Sequence, residues 1–174
     1  MTTLTLREQK RAERQARVIE TALRLAADGG YEAVQMRDVA ARSEVALGTI
    51  YRYFSSKDAI LIAGLAEWME VVRDRIDRRV VGLADPAERL DAYLREAGAQ
   101  SVASPTLMKA LITALASTDA DVSAHKEAVN LQLGRMIESA LAGAPDIDAA
   151  GVQRVIRHVW FSAIVGWVSG MRDA

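Results

Sequence analysis

The sequence predicts an all-α protein in two parts, and three observations carry that prediction. Hydrophobic residues make up 51% of the 174 positions, Ala above all. With few β-branched runs, that composition favours helix. Apolar residues recur at helical spacing over long windows instead of alternating. Turn residues are sparse, three Pro and eleven Gly, and several stand where a helix would start or stop.

The first helix is expected from about Arg7 to Asp28. Val18, Ala22, Leu25 and Ala26 share a face, and Gly29-Gly30 ends it. Arg7, Lys10, Arg11, Arg14 and Arg17 crowd its start, the end of the helix dipole that disfavours cations. Two readings stay open: a solvated face partnered by Glu8, Glu13 and Glu20, or an arm that holds phosphate. After the connector Tyr31 to Val34, a second helix runs from Met36 to Arg42, and "ARSEVALG" breaks it. A third, short helix runs from Leu47 or Gly48 to Phe54. Two short helices joined by a tight turn make a helix-turn-helix, whose second helix enters the DNA major groove.

"SSKD" opens a long helix, Ser55 and Asp58 having capping-box spacing. It reaches about Val80, with Ile60, Leu61, Leu65, Trp68, Met69 and Val72 inward. Asp85 then reads as N-cap, Pro86 as the first helical residue and Glu88 as box partner, for a helix to about Ser101. Ser104-Pro105 opens another to Ala116. Thr118 or Asp119 starts the next, to Ala142, and "GAPDID" separates it from a last helix, Ile147 to Met171. The count is eight or nine helices and no strand. The chain divides at 1–55, which holds the helix-turn-helix, and 56–174, which holds the remaining helices.

Composition removes several classes of function. With no Cys, disulfides, thiolate metal sites and cysteine nucleophiles are excluded. The longest apolar stretch, Val159 to Met171, is 13 residues, short of the roughly 17–25 needed to cross a bilayer. The charged N-terminal run has no apolar signal core, so a cytoplasmic protein is expected. His125 and His158 lie in no metal-ligand motif. No Gly-rich phosphate loop and no catalytic triad is visible by spacing. Neither an enzyme nor a cofactor is expected. Residues 1–57 hold 10 Lys/Arg against 7 Asp/Glu and residues 58–174 hold 12 against 16, a basic front and an acidic back.

One stretch concentrates chemistry. "VALGTIYRYFSSKDAIL" puts Tyr51, Tyr53 and Phe54 within four positions, beside Thr49, Arg52 and Lys57. Extended to "GYEAVQMRDVAARSEVALGTIYRYFSSKDAIL", Gly30 to Leu61, it resembles the DNA-binding domain of the tetracycline-repressor (TetR) family: a Gly-Tyr start, an Arg-Asp-x-Ala helix, a Gly-Thr-x-Tyr-x-Tyr-Phe recognition helix and a Ser-Lys cap. The resemblance implies an all-α homodimer that binds double-stranded operator DNA through its first three helices and a small-molecule effector through the rest.

The residues have physical readings that suit this. Thr49 offers a hydroxyl to phosphate or a methyl to thymine. Tyr51 can give its hydroxyl to phosphate, and Lys57 stands at a helix start, where free N–H groups also favour phosphate. Gly48 lets the DNA backbone come close, and Gln35 and Arg37 begin the second helix, where the family contacts backbone or groove edge. Arg52 reads equally as a DNA contact or a solvated charge. Tyr53 and Phe54 read as core. Ala46 stands where the family has a capping Ser or Thr, which weakens that cap by about 1 kcal/mol. Leu47, often polar in the family, can meet a thymine methyl. Gln35 likewise replaces a capping Thr or Ser. Within the family, "VQMRDVA…VALGTIYRYF" is similar to the subgroup that represses sterol catabolism in response to steroid acyl-coenzyme A thioesters, which implies a hydrophobic effector of steroid or acyl-CoA type.

In the second part, Trp68, Met69, Val72, Tyr93, Leu94, Met108, Leu111, Ile112 and Leu115 are the candidate effector lining, with ordinary core as the alternative for each. Trp160 and Trp167 are seven apart on one face of the last helix. Ser162, Gly166 and Gly170 form a small-residue strip at four-residue spacing that permits close helix contact. The resemblance makes this the two-fold interface of a four-helix bundle. A competing class remains open: a helical enzyme or small-molecule binding protein whose helix-turn-helix is only packing. So does activation in place of repression.

Overall fold

The computed structural model describes residues 5–144 and 146–171. Among these residues there are eight α-helices and one 3-10 turn, with no strand: α1 (Leu6–Ala33), α2 (Met36–Ser43), α3 (Leu47–Tyr51), α4 (Lys57–Val80), α5 (Pro86–Ala103), α6 (Pro105–Leu115), the 3-10 turn (Ala120–Val122), α7 (Ser123–Ala140) and α8 (Ala149–Val168).

Helix α1 starts on a capping box the sequence reading did not include. Thr5 Oγ1 accepts the Glu8 N–H, and Glu8 Oε2 accepts the Thr5 N–H at 2.8 Å. Its regular run breaks at Gly30 (φ 75°, ψ −169°), a conformation essentially restricted to glycine. Tyr31 to Ala33 then add one more turn, so the connector expected at 31–34 is partly helical. Glu44 closes α2 in the left-handed region (φ 55°) and turns the chain toward α3. Helix α3 stops at Tyr51, short of the expected Phe54.

The cap of α4 is Ser56, not Ser55: Ser56 Oγ accepts the Ala59 N–H at 3.2 Å. Asp58 is therefore free of the expected box, and its carboxylate accepts the Tyr31 hydroxyl instead, at 2.5 Å. Asp85 caps α5 through the Ala87 N–H at 2.9 Å, in place of the box expected with Glu88. Asp119 caps the 3-10 turn and not an α-helix, which delays α7 to Ser123. Asp148, bonded to the Gly151 N–H, starts α8 two residues after the expected Ile147.

Helix α8 ends at Val168 in a Schellman arrangement. Met171 N–H bonds Gly166 C=O, Gly170 N–H bonds Trp167 C=O, and Gly170 takes φ 74°. Gly170 thus lies beyond the helix, and the expected strip Ser162–Gly166–Gly170 is cut to its first two members.

A single apolar cluster joins the two halves. Val18, Ile19, Ala22 and Leu25 of α1 pack with Val39, Val45, Ile50 and Phe54 and with Ile60, Leu61 and Ile62 of α4. Ala110, Leu111 and Ala114 of α6 complete it. Helix α1 lies along α6 as well as along α2 and α4. Close approach of α1 to α4 is permitted by Gly64, where a Cβ would lie 3.0 Å from Ile19 Cγ2. At the boundary expected at 55/56 there is no gap in packing. A second cluster, Val72, Ile76, Val80, Tyr93, Met136 and Ala140, lies at the far end of α4.

Candidate DNA-reading surface and effector cavity

The reading surface is built by burying one side of a three-helix unit and leaving the other in water. Ile50 and Phe54 are buried, as their apolar character requires, while Tyr51 is 52% exposed. Gln35, Arg37, Gly48 and Arg52 are exposed, and Leu47 and Thr49 are half-buried. A Cβ on Gly48 would meet nothing within 4 Å, so no packing within the chain asks for glycine there. No side chain caps α3 at Ala46 or α2 at Gln35; the Gln35 amide turns back to Glu32 C=O at 2.9 Å.

Of the arm residues, Arg7 and Arg14 are exposed, and the exposed Arg11 stacks over the Tyr53 ring at 5.5 Å. That contact ties the arm to the reader. Lys57 is more engaged than its sequence position suggested. Its Nζ donates to Tyr31 C=O at 3.2 Å, lies 3.8 Å over the Tyr31 ring and is 3.6 Å from Glu32 Oε2. Its side chain turns toward Tyr31 and is only 21% exposed.

Behind the reader, α4 to α8 enclose a cavity of about 300 Å³, the lower end of ordinary ligand sites. Eight of the nine candidate lining residues meet there: Trp68, Met69, Val72, Tyr93, Leu94, Met108, Ile112 and Leu115. Leu111 does not; it is 5% exposed and packs in the first core cluster, on the side of α6 facing α1. Residues missed from the sequence come mainly from the last two helices: Val129, Leu133, Met136, Ile156, Trp160, Phe161 and Ile164. A shallower apolar groove adjoins the cavity across Leu90, Leu94 and Ile156 and ends at Val155.

The lining is apolar apart from a few groups, and its charge has one sign. Lys126 and Arg157 reach it, and among the described residues no Asp or Glu does. Lys126 Nζ donates to the Ser117 carbonyl. Tyr93, 2% exposed, presents its ring and commits its hydroxyl to Asp77. Ser139 donates to the same carboxylate at 2.6 Å, and Arg73, 3.8 Å from it, bonds the buried Gln132 at 2.9 Å. Burial first, and the Asp77 bond second, push the Tyr93 phenol up to about 12. This network fixes α4, α5 and α7 around the cavity floor.

Trp160, expected at the two-fold interface, faces the cavity instead and lies 3.6 Å from where a Gly98 Cβ would be. Gly166 is buried, Trp167 half-buried and Ser162 exposed. The outward face of α8 carries Val155 and Val159, 62% and 64% exposed, and 3.6-residue spacing continues it through the exposed Ser162 toward Gly166, which is already covered within the chain. On α7, Leu131 is 53% exposed. The sequence signal for these was a last helix with apolar residues on more than one face and polar ones only along one flank of its first half, a pattern that conceals which apolar face turns inward.

Residues 18–63 match the family described as bacterial regulatory proteins, tetR family, and residues 84–173 match its tetracyclin repressor-like C-terminal domain. Among relatives, the HTH-type transcriptional repressor KstR of Rhodococcus jostii (strain RHA1) is 38% identical over 165 residues, covering 93% of this chain and 76% of its own. KstR of Mycobacterium tuberculosis is 34% identical over 170 residues, covering 97% and 77%. A solved TetR transcriptional regulator from Rhodococcus sp. RHA1 superposes with a TM-score of 0.77 at 27% identity, over 95% of this chain and 88% of that one. The chain belongs to the TetR family of bacterial regulatory proteins. It is a DNA-binding, ligand-responsive transcriptional repressor, and the reading of the helix-turn-helix as mere packing is not favoured.

Proposed function

We propose that this repressor binds a palindromic operator as a homodimer and is released by an apolar effector with an anionic group, of steroid or acyl-CoA type, held in the α4–α8 cavity. One observation carries the effector class: an apolar cavity whose charged lining residues are both cations. Thr49, Tyr51 and Arg52 face the DNA, with Leu47 and Gly48 at the start of the recognition helix. Gln35, Arg37, Arg7, Arg11 and Arg14 supply flanking contacts. Lys57 exchanges its bond to Tyr31 for a phosphate. The dimer forms through α7 and α8, with Leu131, Val155, Val159, Ser162 and Gly166 at its centre and Trp167 beside them. It sets the two recognition helices about 34 Å apart, one turn of DNA. Effector bound against Trp68, Met69 and Val72 shifts α4, which begins directly after the reader, and changes that spacing. Release requires that the effector prefer the DNA-incompetent state. The protein works in the cytoplasm and by binding alone.

Selection of random duplex DNA by the purified protein tests the reading. Enrichment of a palindrome, lost as salt rises, is expected. Absence of any motif from folded protein in low salt rejects it. Gly166→Leu should abolish dimerisation and operator binding together, measured by sedimentation and electrophoretic shift; a stable Gly166→Leu dimer removes the α8 assignment.

A further inference from the structure

Two consecutive residues near the start of α7 touch the cavity and the reader. Lys126 lines the cavity. His125 packs its ring against Phe54, the buried residue that follows the recognition helix, with centroids 5.9 Å apart and planes tilted by 35°. The imidazole is half-buried, and burial holds its pKa below the ordinary value, so at neutral pH the ring is uncharged and suited to an aromatic neighbour. Phe54 is 3% exposed and belongs to the same cluster as Ile50 of α3. A shift of the α7 start is therefore felt at the recognition helix through a packed contact.

Lys126 is poised to cause that shift. Among the described residues it forms no ion pair, and its ammonium is held only by the Ser117 carbonyl, in the segment between α6 and the 3-10 turn. An anionic group in the cavity would compete for it, since a charge-assisted bond to an anion in a low-dielectric site outweighs one to a neutral carbonyl. Arg157, the other cation of the lining, projects from α8, which packs on α6 and α7. Lys126 directly follows the residue that touches Phe54.

Resting on the reading of the cavity as the effector site, we propose that Lys126 recognises the anionic group of the effector. The adjoining His125–Phe54 contact then passes its displacement to the recognition helix. Lys126 determines specificity, and His125 is a positioning residue that sets how strongly binding is converted into release. Coupling between two sites in one protein is commonly about 5–150-fold in affinity, ample for a measurable separation of the two roles.

The test uses the full chain, a duplex obtained by the selection above, and two probes with one hydrocarbon tail: oleate and oleyl alcohol. Binding is read from tryptophan fluorescence, since Trp68 and Trp160 line the cavity, and release from fluorescence anisotropy of labelled duplex. The wild type should bind oleate at least about tenfold more tightly than the alcohol and let go of DNA on saturation. Lys126→Met should lose that preference while binding the alcohol as before. His125→Ala should bind oleate like the wild type yet retain DNA at oleate concentrations that empty the wild-type complex. Several outcomes overturn the proposal: a Lys126→Met protein that keeps its preference, a His125→Ala protein that releases DNA normally, or a wild type that binds oleate without releasing DNA. Equal binding of both probes also overturns it but leaves the cavity reading standing. If neither probe binds the wild type, both readings fall.

Discussion

Arg89 offers the sharpest test of how the second half is held together. From α5, its Nε donates to Ala140 C=O at 2.8 Å, Nη1 to Leu83 and Ala84 C=O at 2.8 and 3.0 Å, and Nη2 to Ala142 C=O at 2.5 Å. Ala140 and Ala142 lie in and just after the last turn of α7, where carbonyls lack helical partners and the dipole favours a cation. Leu83 and Ala84 belong to the link from α4 to α5. One guanidinium thus staples two chain segments.

Replacing Arg89 with Met keeps the aliphatic stem and removes every donor. Three of the four bonds are at the surface and the one to Ala140 is part-buried, so water takes over most of the exposed carbonyls. The loss is then about one charge-assisted bond of 1.5–3 kcal/mol plus up to about 1 kcal/mol of dipole interaction. Recovered side-chain freedom offsets part of it, which leaves about 2 kcal/mol. In a chain of this length that lowers Tm by roughly 4–8 °C. Urea unfolding monitored by circular dichroism, at fixed protomer concentration, measures it. Arg89→Lys should recover less than half, since an ammonium cannot span both segments. A change below about 0.5 kcal/mol for Arg89→Met would place these bonds with surface contacts of no consequence.

The Ser43 hydroxyl is buried without a partner, so Ser43→Ala should leave stability unchanged or raise it by about 1 kcal/mol in urea unfolding; a loss of that size would show an unseen partner. Tyr31 and Tyr93 are both held neutral, their phenols pushed up from 10 to about 12. A raised folded pKa contributes stability that is complete below pH 10 and disappears as pH climbs through 12. Absorbance titration should therefore show Tyr31 and Tyr93 ionising late, and Tyr93→Phe should remove one late-ionising group and leave a smaller alkaline loss of stability. Tyr51→Phe and Lys57→Ala should weaken DNA binding similarly on every sequence, with the salt slope of Lys57→Ala reduced by about 1; unchanged operator affinity for either removes it from the phosphate contacts.

Where helices begin was legible where a proline stands at the first helical position, with a side-chain cap at Asp85 and without one at Ser104. Asp85-Pro86 and Ser104-Pro105 start α5 and α6 where expected, because proline at the first helical position admits little alternative. Adjacent serines gave no such lead: Ser55 and Ser56 are chemically equal, and the packing of Ala59 and Ile60, both fully buried, decides which one caps α4. The reader was legible because its pattern of Gly, Thr, Tyr and Phe is dense and its spacing fixed.

Faces were harder. Helix α8 spreads apolar residues over most of its circumference and gathers Gln153, Arg154, Arg157 and His158 on one flank of its first half only, so the inward turn of Trp160 and the outward turn of Val159 follow from tertiary packing. Leu111 carried the same periodicity as Met108 and Leu115, yet α1 lies against α6 and claims it for the core. The adjoining roles of His125 and Lys126 could not be seen in a linear chain, since Phe54 lies 71 positions away.

The uninterrupted cluster between the front and back helices has a consequence for modularity. Val18, Ala22 and Ala26 are fully buried in the same cluster as Ala110 and Ala114 of α6. A hybrid that joined residues 1–55 to a foreign body would strand those side chains unless its own α6 offered an equally flat, alanine-lined surface. Exchanging specificities by swapping the front segment is thus a problem in matching one helix face, and the evolutionary drift of α1 and α6 should be correlated. The seam, not the linker, decides which hybrids fold.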